Sequence, residues 1–402
     1  MSILTELSRL QTAKANMKTA LESKEVVVPS DARLSDYPAL ITSIGANAKA
    51  VEEKALNFYD FEGTLVASYD ADEIAGLEEL PEAPDHSADE VPLTFEEWNW
   101  TLAEIKEYHT AIPEGNIDVG ANYHTTDGKT HAIYYQAQGG EYWQIGIHVY
   151  ASGTVDWGDG TADSFSAGDD ITHVYTGPGR FHCIIDHEAD ESVQLGGELT
   201  DANPATLNWS LTELYLPVIK TFSGAKLAPV MSKCSIPSSV ESFAFEGFLM
   251  SATDFFALPR ALVTLSTIET FETAFASTFA RKISIPPTLA YIGRGSFAGN
   301  MRIQEYTLPL TTEVISNAVF QYSDSLIRAI IPPRVTEIQQ YAFQDCYRLH
   351  TVILKGTTPP VLDSEAFSSP PERIIVPRGT LTAYQSATNW SDYADIMEES
   401  TE

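Results

Sequence analysis

Cysteine is scarce, bases are few and long apolar runs are missing. The 402 residues hold three cysteines, Cys183, Cys234 and Cys346, far apart and in no CxxC or Cys/His pairing. That argues against a disulfide framework or a structural zinc site, and no metal is expected. Lys and Arg number 24 against 56 Asp and Glu, a formal net charge of −32. Neither nucleic acid nor an anionic membrane would attract such a chain. No stretch approaches the roughly 18 apolar residues of a membrane span, so no membrane insertion is expected. The start, MSILTELSRLQTAKANMK, lacks the basic and apolar regions of a secretion signal, so no signal peptide is expected. GxSxG, HExxH, the P-loop and a GxGxxG after a strand are all missing. The chain therefore reads as no enzyme, with no catalytic residues and no cofactor.

What is present is ample core material, with 44% hydrophobic and 10% aromatic residues. The length suggests two to four domains. Charge is uneven. Residues 1–199 carry 36 acids and 10 bases, residues 200–390 carry 15 and 14, and the last twelve carry five acids and no base. An acidic half joined to a near-neutral half suggests two jobs.

Residues 1–45 read as a helical anchor. Ile3, Leu7, Leu10, Lys14, Met17 and Leu21 step by 4 and 3 alternately, a heptad seam broken once by lysine. Ile3, Leu7, Leu10, Met17 and Leu21 are the candidate oligomerisation residues, with a homotrimer favoured. Packing of this helix on its own domain is the plainer alternative. A short strand at Val26–Val28 and a second small helix, LSDYPALITSIG, follow. Residues 46–112 read as a small acidic α+β module: a hairpin over Asn57–Tyr69 turning at Glu62-Gly63, then a helix through Tyr108. Trp98 and Trp100 read as anchors of a small core rather than a sugar platform.

Residues 113–198 read as all-β. Their motifs are Trp157-Gly158-Asp159-Gly160-Thr161, His173-Val174-Tyr175 and Gly179-Arg180-Phe181. This spacing resembles the polycystic-kidney-disease (PKD) domain, which implies an immunoglobulin-like β-sandwich used as a spacer or weak binding module. Asp159-Gly160 suits a tight turn. Asp156, Asp159 and Asp163 could hold calcium but lack the oxygen spacing of a dedicated loop, and turn stabilisation is the favoured role. Six of nine histidines lie between His124 and His187, with His148 and His182 expected to face solvent.

From Leu211 a repeat emerges. Core positions i, i+3 and i+5 recur, usually before proline: Leu211/Leu214/Leu216, Met231/Cys234/Ile236, Thr253/Phe256/Leu258, Ala280/Ile283/Ile285, Ile303/Tyr306/Leu308, Leu326/Ala329/Ile331 and Leu349/Val352/Leu354. Ile374/Val376 ends the series. Phe275, Phe297, Phe320, Phe343 and Phe367 recur in phase. A period near 23 residues means a solenoid, in which only the stack buries its core. The pattern resembles the BspA-like leucine-rich repeat of bacterial surface proteins, most closely over Leu326–Cys346. The resemblance makes Cys234 and Cys346 interior residues. The solenoid is set at residues 199–379, with a cap and acidic tail at 380–402.

The whole is expected to be multi-domain and mainly β: helical anchor, small α+β module, immunoglobulin-like sandwich and leucine-rich-repeat solenoid. The i+2 and i+4 side chains of each repeat strand should point outward. Lys282, Arg328 and Arg373, beside Ile330, Ile353 and Ile375, are therefore the candidate ligand-binding residues; a solvated strand face, with isoleucine there for strand propensity, is the plainer alternative. Residues 1–112 resemble tail proteins of phages of gut bacteria. That resemblance implies a virion component assembled in the host cytoplasm, a tail fibre or baseplate protein. It would hold other virion proteins through residues 1–45 and bind a host cell-surface glycan or protein through the repeats. A bacterial surface adhesin and a head-attached fibre or decoration protein are the alternatives. An enzyme with accessory domains is disfavoured, because every segment already has a structural reading.

Overall fold

The Asn57–Tyr69 alternation produces the hairpin it predicts, β1 (Leu56–Tyr59) and β2 (Leu65–Tyr69), reversing through Gly63 at φ +84°. A computed structural model describes residues 53–136, 144–187, 193–195, 210–222, 230–243, 248, 251–265 and 275–401. The expectations for residues 1–45, the heptad seam and its five oligomerisation residues included, lie outside the described residues.

The module continues through a one-turn helix, α1 (Ala71–Ile74), then β3 (Leu93–Trp98), α2 (Leu102–Ala111) and β4 (Ile117–Thr125). Thr101 caps α2. Its hydroxyl accepts from the Glu104 N–H, while the Glu104 carboxylate accepts from the Thr101 N–H at 2.7 Å. The sheet order is β2-β1-β4-β3, with β1 and β4 parallel. The sequence boundary at 112 is thus corrected. β4 belongs to the module's sheet, not to the sheets that follow, because its backbone pairs with β1 and β3.

Two further sheets follow. β5 (Thr130–Gln136), β7 (Gly153–Asp156), β8 (Ala162–Phe165) and β10 (Gly179–His187) lie in one; β6 (Gln144–Val149), β9 (Asp170–Val174) and β11 (Val193–Leu195) form the other. Ile147, Val155, Trp157, Tyr175, Cys183 and Ile185 are buried in one cluster with both. The Tyr175 hydroxyl donates to the Trp157 carbonyl at 2.7 Å. The acidic turn uses its own carboxylates. Asp156 accepts from the Gly158 N–H, Asp159 from the Thr161 N–H and hydroxyl, and Asp163 from the Trp157 indole. No cluster of potential metal ligands occurs among the described residues. His148 and His182 do not simply face solvent: His148 pairs with Asp170 at 2.7 Å and His182 with His131 at 2.8 Å.

The repeat forms a C-terminal β-solenoid. Its first strand, β12 (Leu211–Tyr215), pairs antiparallel with β5 on one side and parallel with Lys233–Ser235 on the other. One strand thus closes the preceding sheet and begins the solenoid ladder. The two hydrophobic cores merge accordingly, in one cluster running from Ala132 to Met397. Parallel strands continue at Phe255–Ala257, Lys282–Ser284, Arg328–Ile331, Thr351–Leu354 and Arg373–Val376. The i+3 and i+5 side chains point inward as expected, and Cys234 and Cys346 are free and buried. Burial pushes the Cys346 thiol up to about 12.

On the return path the in-phase phenylalanines stack. Phe320, Phe343 and Phe367 have ring centroids 5.4 and 5.2 Å apart, and Tyr393 of the cap meets Phe367 at 5.8 Å. Three of the rings, Phe297, Phe320 and Phe343, sit between two left-handed residues. Gly295 and Gly299 flank Phe297, Ala318 and Tyr322 flank Phe320, and Tyr341 and Asp345 flank Phe343. The cap is α3 (Leu381–Ser386) and a 3₁₀ helix, Trp390–Ile396, which bury Tyr384 and Trp390 over the open end. The final residues are not a loose acidic tail. Met397–Glu399 pairs parallel with Arg373–Val376 and completes the sheet.

Candidate functional site

The outward columns of the solenoid strands are where sequence reasoning placed a binding surface, and the module covers most of them. β4 crosses the repeat strands with its backbone close against them. The Ser235 hydroxyl donates to the Tyr123 carbonyl at 2.8 Å, and the Ser284 hydroxyl to the Asp118 carbonyl at 2.6 Å. Thr307 donates to Asn116 at 2.6 Å, and an Arg328 amine to the Glu114 carbonyl at 2.9 Å. In return, Asn122 donates to the carbonyls of Ile236 and Ala257, Asn99 to those of Leu258 and Ser284, and the Trp100 indole to that of Ile285. The small i+4 residues Ser235, Ala257, Ser284 and Thr307 are what let a backbone come this near. A Cβ on Gly120 would lie 2.5 Å from that of Ala257.

The six candidate residues therefore divide. Ile330 and Ile353 are buried in the module's own core, with Ile375 packed beside them, so the apolar ridge is an internal seam. Lys282 holds Asp118 at 2.7 Å and Glu53 at 3.3 Å. Burial works against its charge, but the two carboxylates outweigh this and raise its pKa. Arg328 grips Glu305 through two nitrogens, at 2.8 and 2.9 Å. Arg373 is half exposed, beside Glu398 at 3.4 Å. These cations serve the fold first. The expectation of an outward-facing strand surface is corrected because β4 lies on it.

Sequence reasoning missed the space left beside this seam. A cleft of about 670 Å³ lies between the module and the solenoid. Glu53, Glu114, Asn116 and Asp118 line it from the module; Arg281, Lys282, Arg302 and Gln304 line it from the solenoid, together with Glu305, Thr307, Ile327 and Arg328. Arg281 and Arg302 both hold Asp254, at 2.6 and 2.9 Å. The Asp254 hydrogen bond, against some desolvation, raises the Arg281 pKa. Such a lining can bind a polar ligand by hydrogen bonds and charge, and offers little to an apolar one. The alternation of charge at Arg281, Lys282 and Asp118 was in the sequence, but their meeting depends on a contact across 164 residues.

The repeat is also recognised independently of these contacts. The model of the BspA type leucine rich repeat region matches residues 267–371, in six copies. The C-terminal half carries a BspA-type leucine-rich repeat region. Solved structures similar to the chain include a leucine-rich repeat protein from Bacteroides ovatus, at 16% identity and a TM-score of 0.31 over 48% of this chain and 63% of that one. The pneumococcal vaccine antigen PcpA matches at 13% identity and a TM-score of 0.30, over 48% and 67%. A leucine rich cell surface protein from Faecalibacterium prausnitzii matches at 14% and 0.21, over 43% and 62%. The chain spans less than two thirds of the first of these structures. No curated protein matches the sequence. Among the described residues, no helix is long and apolar enough to cross a membrane.

Proposed function

We propose that the protein is a non-enzymatic, adhesin-like surface-binding protein whose BspA-type repeat half carries ligand recognition. The observation that supports this most is the repeat region itself, closed by its cap and braced along its strand face by the module. Such a body presents fixed side chains over a long surface at little ordering cost. Labelled protein should bind intact bacterial or host cells saturably and be competed by unlabelled protein. Binding that never saturates across a panel of gut bacteria and epithelial cells sinks the reading.

The resemblance of residues 1–112 to gut-phage tail proteins favours a second reading, a tail fibre or baseplate component. The PKD-like spacer role of the middle sheets fits either. In both, residues 1–45 form a trimeric attachment that multiplies weak contacts. Light scattering on the full chain, and on one starting at Asn57, tests the assembly; a full-length monomer removes it. Immunogold labelling of purified phage particles separates the two readings.

A further inference from the structure

We propose that the cleft between β4 and the repeats is a binding site for a carboxylate-bearing glycan; this rests on the surface-binding reading above. The charge within the cleft is unevenly committed. Lys282 holds Asp118 and Glu53, Lys355 holds Glu114 at 2.9 Å, and Arg328 holds Glu305. Among the described residues, four carboxylates of the lining thus share three cations, with Lys282 between two of them. The opposite rim is the reverse, because Arg281 and Arg302 share the one carboxylate of Asp254. A guanidinium carries five N–H donors. Arg281 commits its Nε to Asp254, and Arg302 commits one terminal nitrogen to Asp254 and to the Phe279 carbonyl. Both side chains are nearly half exposed, at 46% and 44%. The rim therefore keeps planar N–H donors that Asp254 does not engage, the geometry that receives a carboxylate in two parallel hydrogen bonds.

The remaining polar lining points to hydroxyls. The side-chain amides of Asn116 and Gln304 both line the cleft, and neither has a hydrogen-bond partner among the described residues. Each offers two donors and an acceptor, the set that a vicinal diol pairs with. Among the described residues, Ile327 is the one aliphatic side chain of the lining, and no aromatic ring joins it. The occupant is thus hydroxyl-rich rather than apolar. A densely sulfated or phosphorylated polymer is disfavoured, because exposed Glu53 and a chain charge of −32 would repel it. A sugar with an occasional carboxylate meets both conditions, and the size suits a small-ligand site.

Calorimetry on the full chain with 3′-sialyllactose, tri-galacturonic acid, lactose and inorganic phosphate tests this. At least one acidic glycan should bind, tenfold or more tighter than lactose. Arg281→Gln/Arg302→Gln should abolish that difference with the circular dichroism spectrum unchanged. Asn116→Ala/Gln304→Ala should weaken acidic and neutral sugars alike by several-fold. The proposal falls if neither acidic glycan binds, if the arginine variant binds as the parent does, or if phosphate binds as tightly as the glycans. Cell labelling keeps the two readings apart. If parent and arginine variant label cells equally, the cleft is wrong and the adhesin reading stands. If acidic glycan binds and the parent labels no cell, the cleft stands and the adhesin reading falls.

Discussion

The Lys282 ammonium lies 2.7 Å from the Asp118 carboxylate, tying a repeat strand to β4. Asp118 is 13% exposed and keeps a second donor, the Asn57 amide at 3.0 Å. Lys282→Met should therefore cost about 2 kcal/mol, less than the roughly 3–5 kcal/mol of breaking a fully buried pair. Adding Asp118→Asn should recover part of the loss, because the stranded charge is then gone. Urea unfolding of the two variants checks both. Equal stability of Lys282→Met and parent would mean the pair is solvated.

Gly120→Ala, within β4 itself, should also be damaging. Its new methyl would meet the Ala257 Cβ at 2.5 Å, the Phe255 Cζ at 3.0 Å and the Ala257 Cα at 3.1 Å, and the nearest of these is fixed to the backbone. A loss of about 1–3 kcal/mol is expected for such overpacking. Thermal melts should show it, and Ala257→Gly in the same chain should restore most of it.

Phe343→Ala should cost about 3–5 kcal/mol, the usual cost of emptying a buried aromatic site. Phe343 is 1% exposed, between Phe320 and Phe367. Stacked repeats couple mainly to their neighbours. Hydrogen exchange should accordingly accelerate first around Leu326–Phe367 and last in β5 and β10.

Tyr322→Gly should be neutral or stabilising by up to about 1 kcal/mol. Tyr322 is 52% exposed and holds φ +61°, where a Cβ is disfavoured and where the preceding repeat has Gly299. A melting temperature clearly below the parent's would show that the ring contributes contacts of its own.

Two histidines should titrate to opposite sides of 6.5. Burial disfavours charge on His86, but its Asp89 hydrogen bond and Asp60 outweigh this, so its pKa is raised. The stability it contributes is full below about pH 6.5 and is lost as pH rises through its folded value. His182 is lowered, by burial and then by His131. Its contribution is present above about pH 6.5 and fades as pH falls through its folded value. Proton NMR of the ring signals reads both directly.

The sequence carried the solenoid well, because inward residues at fixed intervals are a local signal summed over many turns. Leu214, Cys234, Ile283 and Phe343 are all buried as their phase requires. What covers the outward columns was not legible. IDVGANYHT alternates like any strand, and nothing local in it distinguishes pairing with Leu56–Tyr59 from pairing with Thr130–Gln136. Ser235, Ala257, Ser284 and Thr307 did carry a trace of the answer, since small residues at one column suit a close backbone approach. Strand propensity explained the isoleucines of that column equally well, and so the seam at Ile330 and Ile353 read as a ridge. The last strand was hidden differently: Met397–Glu399 is short and acidic, and its pairing with Arg373–Val376 rests mainly on backbone.

The footprint of β4 also bears on how the repeat array can change in length. Each hydrogen bond from Tyr123 to Glu114 lands on a particular turn between Ser235 and Arg328. Duplicating or deleting 23 residues inside that span would shift every later landing point by one strand spacing, about 4.8 Å, and strand several carbonyls. Beyond Lys355, the last residue that Glu114 reaches, the described residues show only the apolar packing of Ile375 on the module, which fixes register less sharply than hydrogen bonds. Gain and loss of turns in related chains should therefore concentrate between Lys355 and the cap, with the number of turns beneath the module held constant.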